Sequence, residues 1–232
     1  MSTLNPTRKV SRRHELREDT VVTAYARALG YFENNRSVVF GAAAVILLIV
    51  TLIVGLSWNQ GRQNEKALSE MAVAVQHFES GDFQAALDGD ASFTGLVEIA
   101  DRYGSTDSGN LANYYAGDAF FRVGDLDQAL EYFEAFSKDA NYLGASAFAG
   151  EASIHELKGD PAKAGDLFAR AARVFESDIT SPMYLESAAR AYVAAGNTKK
   201  AIDAYESIQE DFPASSQAQN VAFLLAQLEA TS

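Results

Sequence analysis

Four of this chain's Gly-Asp or Gly-Asn pairs punctuate it at similar intervals, and the residues around them keep step. They are Gly81-Asp82, Gly124-Asp125, Gly159-Asp160 and Gly196-Asn197, with the glycines 43, 35 and 37 residues apart. Five residues after each glycine stands an alanine: Ala86, Ala129, Ala164 and Ala201. Seven residues before each stands a small residue: Ala74, Gly117, Ala152 and Ala189. Four before comes a ring, His77, Phe120, His155 or Tyr192, and nine after, three of the four have an aromatic, Phe133, Phe168 and Tyr205. Self-similarity at such a period marks an array of stacked supersecondary units.

The unit reads as a helical hairpin. A glycine just past a first helix, A, can take the left-handed conformation that ends it. The Asp or Asn that follows can cap a second helix, B, by accepting its free N–H groups. Asp125 with Gln128 has capping-box-like spacing, and Asp160 precedes Pro161, favoured at a first helical position. Small residues at −7 and +5 let helices A and B approach closely, while the rings fill the spaces between hairpins. One hairpin cannot bury its apolar face alone, but a stack can. The first hairpin departs from the pattern. Asp90 replaces its ring at +9, residues 87–92 read as an insertion, and helix B should resume near Phe93–Tyr103 before a loop at 104–109. Residues 215–229 should form a last, capping helix.

This pattern resembles the tetratricopeptide repeat. The match is best at Gly117, Phe120, Gly124, Ala129 and Phe133. It holds at Ala152, Gly159, Ala164 and Phe168, and again at Ala189, Tyr192, Gly196, Ala201, Tyr205 and Pro213, without the opening Trp. The expected fold class is all-α, a tetratricopeptide-like solenoid following one N-terminal transmembrane helix.

That transmembrane expectation rests on residues 38–58, VVFGAAAVILLIVTLIVGLSW, which carry no charge. Twenty-one residues make a helix of about 31 Å, matching a hydrocarbon core of about 30 Å. Thirteen are Leu, Ile, Val or Phe, worth roughly 4 to 8 kcal/mol of insertion. A buried core helix would rarely run so long without a polar face. A cleaved signal peptide would have a shorter apolar run ending in small residues, whereas here Leu-Ser-Trp-Asn follows. An uncleaved anchor is the reading.

Three segments result: a tail at 1–37 with net charge +3, the span, and a repeat domain at 59–232 with net charge −15. Arg8, Lys9, Arg12, Arg13, Arg17, Arg27 and Arg36 precede the span. By the positive-inside tendency they place the N-terminus in the cytoplasm and the repeat domain outside it. Residues 15–33 can form a helix with Val21, Tyr25, Ala28 and Phe32 on one stripe, to rest on lipid headgroups or dock on a partner. The acidity of the repeat domain disfavours nucleic acid. The whole arrangement resembles the YfgM family of bacterial inner-membrane proteins, ancillary subunits of the SecYEG translocon. The resemblance implies a periplasmic interaction domain working with the Sec translocon or with extracytoplasmic chaperones.

Little points to catalysis. The chain has no cysteine, hence no disulfide, thiolate nucleophile or Cys-ligated zinc. His77 and His155 share a register with Phe120 and Tyr192, which makes them packing residues. No phosphate loop or nucleophile elbow occurs, and apart from a weak match at Asp101–Asp107 no acidic stretch has a calcium loop's spacing. The expectation is a non-enzyme without cofactor or metal. Protein binding is better supported. Helix A of the second hairpin carries Tyr114, Asp118 and Phe121 on one stripe beside Arg122, either facing a groove or packed on the neighbouring hairpin. The function expected is an adaptor that holds exported partners. The alternative is a regulator that holds a cytoplasmic factor through its tail.

Overall fold

The computed structural model describes residue 23, residues 25–27 and residues 29–231. The basic residues up to Arg17, the N-terminal part of the tail helix, and Val21 and Ala28 of its stripe lie outside the described residues. Residues 29–34 are helical, and Phe32 meets Phe40 edge-on at 5.7 Å. Helix α1 then runs Arg36–Glu79, and the chain divides into two compact units at Trp58 and Asn59. In the first unit α1 contains a stretch of mean hydropathy 2.9 with none of its surface buried, long and apolar enough to cross a membrane. Thr51 donates its hydroxyl to the Leu47 carbonyl at 2.7 Å, so its one polar group is satisfied within the helix.

In the second unit every described element is a helix, apart from an isolated antiparallel bridge between Gly89 and Thr94. The order is α2 (Phe83–Asp88), α3 (Leu96–Tyr103), α4 (Asp107–Val123), α5 (Leu126–Ala135) and α6 (Tyr142–Leu157). Then come α7 (Pro161–Val174), α8 (Thr180–Ala194), α9 (Thr198–Asp211) and α10 (Ala218–Thr231). The A helices are the end of α1, then α4, α6 and α8; the B helices are α2 with α3, then α5, α7 and α9.

The hairpin physics expected from sequence is present. Gly81, Gly124, Gly159 and Gly196 have φ of +86, +88, +82 and +72°, the left-handed region that favours glycine. The side chains of Asp125, Asp160 and Asn197 accept from the backbone N–H three residues on, at 3.1, 3.1 and 3.3 Å. Asp82 does not cap; its carboxylate turns to His77 Nδ1, 3.5 Å away. The alanines at +5 are wholly buried. Phe133 shows why small residues are needed. A Cβ on Gly117 would lie 2.9 Å from its Cδ1, and one on Gly150 would lie 2.7 Å from its Cε2. The ring is therefore held edge to edge between helices A of two successive hairpins.

Three boundaries differ from the sequence expectation. The first helix A is the continuation of α1, its core face formed by Ala67, Met71 and Ala74. The loop expected at 104–109 is only half loop. Thr106 caps α4 by accepting from Gly109 N–H at 3.1 Å, and Gly109 sits where a Cβ would be 1.8 Å from the Tyr103 carbonyl. The last helix starts at Ala218, because Ser215 Oγ accepts from its N–H at 3.2 Å and keeps the preceding residues in a turn. In the first hairpin Asp90 Oδ1 takes the Ser92 N–H and hydroxyl, closing the insertion, and Phe93 stacks on His77 at 4.6 Å. α10 completes the stack by setting Val221, Leu224 and Leu225 against Tyr205, Ile208 and Phe212.

Candidate functional site

The four residues expected to form a binding stripe lie on α4, yet they point to different neighbours. Tyr114 is half-buried. Its ring meets Tyr115, Phe133 and Phe136 at 5.8, 6.0 and 5.5 Å. Burial pushes its phenol up to about 12; a hydrogen bond with Ser146 of α6 acts the other way, and Asp118, Tyr142 and Tyr184 are close enough to add to the rise. Tyr114 thus ties α4 to α6 on a side that also faces α8. Phe121 is half-buried against a cluster that includes Ala129, Phe133, Ala147 and Ile154. Asp118 accepts from Arg122 Nε at 3.2 Å, and the Arg122 guanidinium lies 5.3 Å over the Phe83 ring of α2. Asp118 and Arg122 are one turn apart and compensate each other's charge, while the two aromatics lean towards the following hairpin.

At their starts the A helices α6 and α8 expose further apolar groups. Tyr142 at the start of α6, Ile179 just before α8 and Met183 in its first turn are 53%, 75% and 49% exposed. Sequence reasoning passed over them because they sit at helix starts, outside the repeat register. Arg190 of α8 reaches Glu156 of α6 at 3.2 Å, so an ion pair also bridges these A helices.

The cavities described lie elsewhere, between the B helices α7 and α9. At one end Asp166 accepts from Lys200 Nζ and from the Tyr192 hydroxyl, both at 2.7 Å. The Lys200 bond chiefly holds the Asp166 carboxyl below the usual carboxylate range, and burial raises the Tyr192 phenol. His155, in the ring register, has a buried Nε2 with no hydrogen-bond partner, and burial lowers its pKa. Among the described residues no group of three or more His, Asp or Glu is placed to hold a metal ion.

Residues 114–181 match a family model described as the tetratricopeptide repeat, and residues 187–215 match a second of the same description. These two stretches carry tetratricopeptide repeats, a scaffold for protein–protein interaction. No curated protein matches it. Among solved structures it is similar to two of a candidate kinesin light chain of Podosopora anserina with nearly identical TPR-like repeats, one of them a single-residue variant. Each has 16% identity and a TM-score of 0.49 and covers 72% of this chain, with 94% and 95% of the other chain covered.

Proposed function

We propose that the chain is a membrane-anchored adaptor, whose exported repeat domain holds protein partners beside the protein-export machinery or extracytoplasmic chaperones. One observation carries the reading: the apolar stretch of α1 is wholly exposed and leads into tetratricopeptide repeats, a scaffold type used for protein–protein interaction. A surface of that length and hydrophobicity is stable in hydrocarbon, where the helix satisfies its own backbone, and Trp58 stands where an interfacial ring would anchor its end. The basic tail supports a cytoplasmic N-terminus and contact with lipid headgroups. The resemblance to the YfgM family supports a bacterial inner membrane and the Sec translocon as the setting.

Partners dock on the A-helix side, which carries Tyr114, Asp118, Phe121 and Arg122 on α4 and the exposed Tyr142, Ile179 and Met183 at the starts of α6 and α8. Aromatic residues with polar neighbours are the usual anchors of protein interfaces. The test has two arms on the full chain in native membranes. Protease added after permeabilising the outer layer should digest residues beyond about 60 and spare the tail; digestion of the tail alone would overturn the orientation. A photo-crosslinker at Tyr142 or Met183 should trap translocon subunits or exported chaperones, and one at Glu134 should not. Equal trapping from both positions would remove the A-helix surface from the reading.

A further inference from the structure

The gaps between successive B helices can be compared position by position, because each hairpin glycine sets the same register. Between α5 and α7 the gap is filled from within. Phe148 of α6 has the Lys138 ammonium 5.4 Å and the Arg170 guanidinium 4.2 Å from its ring centroid. Lys138 Nζ lies 2.8 Å from Glu151 Oε1, with side chains only 11% and 8% exposed. It also donates to the Phe133 and Phe136 carbonyls, ending α5. One hairpin later the filling is gone. Leu185 stands in the place of Phe148, Ser207 in that of Arg170, Ala204 in that of Leu167, and Ala188 in that of Glu151. Only the cation is kept, as Arg173 in the place of Lys138.

The result is an open cleft between α7 and α9, of two adjoining lobes of about 280 and 260 Å³ that share Arg173, Leu185 and Ser207. Among the described residues Arg173 is exposed and makes no ion pair or hydrogen bond at bonding distance, though its charge acts on the Asp166 carboxyl and the Tyr192 phenol. Its neighbour Asp166 is already held by Lys200 and Tyr192. Asp203 and Asp211 of α9 line the far side, and Glu176 the near side, three residues past Arg173; all three are exposed and without ion pairs among the described residues. The floor is apolar, from Ala169, Ala172, Leu185 and Phe212. A guanidinium with no bonded partner over an apolar floor, with the unpaired carboxylates of Asp203 and Asp211 across the cleft, is complementary to a ligand that carries both charges around an apolar group.

We infer that this cleft is a second polypeptide-binding site, distinct from the A-helix surface. Its ligand is a short segment of a partner that supplies what the preceding gap holds internally: a carboxylate for Arg173, an aromatic side chain over Leu185 and Ala204, and a basic side chain for the Asp203–Asp211 edge. The guanidinium selects a carboxylate because it offers paired, planar donors that match the two oxygens. Lobes of this size, below the usual range of small-molecule pockets of about 300–1,000 Å³, take two or three side chains rather than a whole helix.

The probe is the blocked tripeptide Glu-Phe-Arg, titrated into the full chain in detergent micelles by calorimetry. Saturable binding is expected. Gln-Phe-Arg, Glu-Ala-Arg and Glu-Phe-Gln should each bind roughly tenfold or more weakly, since each leaves one part of the cleft unmatched. Arg173→Gln and Ser207→Arg, the second restoring the filler of the other gap, should each weaken Glu-Phe-Arg to the same degree with an unchanged melt. If Ser207→Arg lowers the melt, Arg173→Gln carries the test. Tyr114→Ala should leave this binding unaltered, so the A-helix reading and this one fail separately. No saturable binding, indifference to both cleft variants, or loss with Tyr114→Ala instead would overturn the assignment.

Discussion

The Phe133 clasp predicts that two glycine-to-alanine changes within helices have opposite signs. Gly61 lies in α1 with nothing within 4 Å of a built Cβ. There alanine should stabilise by about 0.5–1 kcal/mol, through the smaller backbone entropy loss. At Gly150 the same change sets a methyl 2.7 Å from Phe133 Cε2 and 2.8 Å from Cζ, about 1 Å inside a comfortable carbon–carbon contact of about 3.5–4.0 Å. The ring cannot retreat, because Gly117 meets its opposite edge. Overpacking of this kind costs about 1–3 kcal/mol. Less the propensity gain, Gly150→Ala should destabilise by about 0–2 kcal/mol, and Phe133→Leu should cost about 1 kcal/mol less in the Gly150→Ala background than alone, as for residues in contact. Urea titrations of the full chain in mild detergent, followed by far-ultraviolet circular dichroism, measure the wild type and the four variants. If Gly150→Ala stabilises as Gly61→Ala does, or the two changes add without coupling, the ring is not clasped and the hairpin packing described above is wrong.

Three further outcomes follow from the same packing. Ala129→Leu and Ala164→Leu, both wholly buried where helices cross, should each cost about 1–3 kcal/mol, while Glu134→Ala, on the surface, stays within about 0.5 kcal/mol; equal urea midpoints for the three would contradict the register. On α4, Phe121→Ala should lose about 1–2 kcal/mol, in line with half-burial of a large apolar side chain, whereas Arg122→Ala, losing an exposed pair, should barely move the melt; capture of partners from solubilised membranes that is unaffected by Tyr114→Ala and Arg122→Ala would remove the stripe from the binding surface. Burial lowers the His155 pKa from 6.5; as pH falls below about 6.5 the unfolded chain therefore takes up the proton first, and stability declines towards the folded value. His155→Phe, the residue type of Phe120 at that register, should make the acid side of the stability profile shallower, and a profile identical to wild type would show that His155 titrates as in water.

The hairpin array was legible because its determinants are local. A left-handed glycine, an Asp or Asn cap and alanines at fixed offsets act within one or two turns, and their spacing is written along the chain. The uncharged run at 38–58 is equally local, since helix length and apolarity depend on nothing beyond those residues. Contacts between hairpins depend instead on the angle at which one stacks on the next, and no periodicity records that angle. Stacking leans Phe121 onto the Ile154 cluster while Arg122 reaches back to Phe83, so a stripe that is contiguous on α4 serves two neighbours. Likewise Asp82 had a cap's position, but the His77 imidazole drew it away. The α7–α9 cleft combines both cases. Its signal, Leu185, Ala188, Ala204 and Ser207 where the preceding register holds Phe148, Glu151, Leu167 and Arg170, could be read from the aligned repeats. That these positions face one another across a gap, and so leave Arg173 without a bonded carboxylate, follows only from three helices meeting in space.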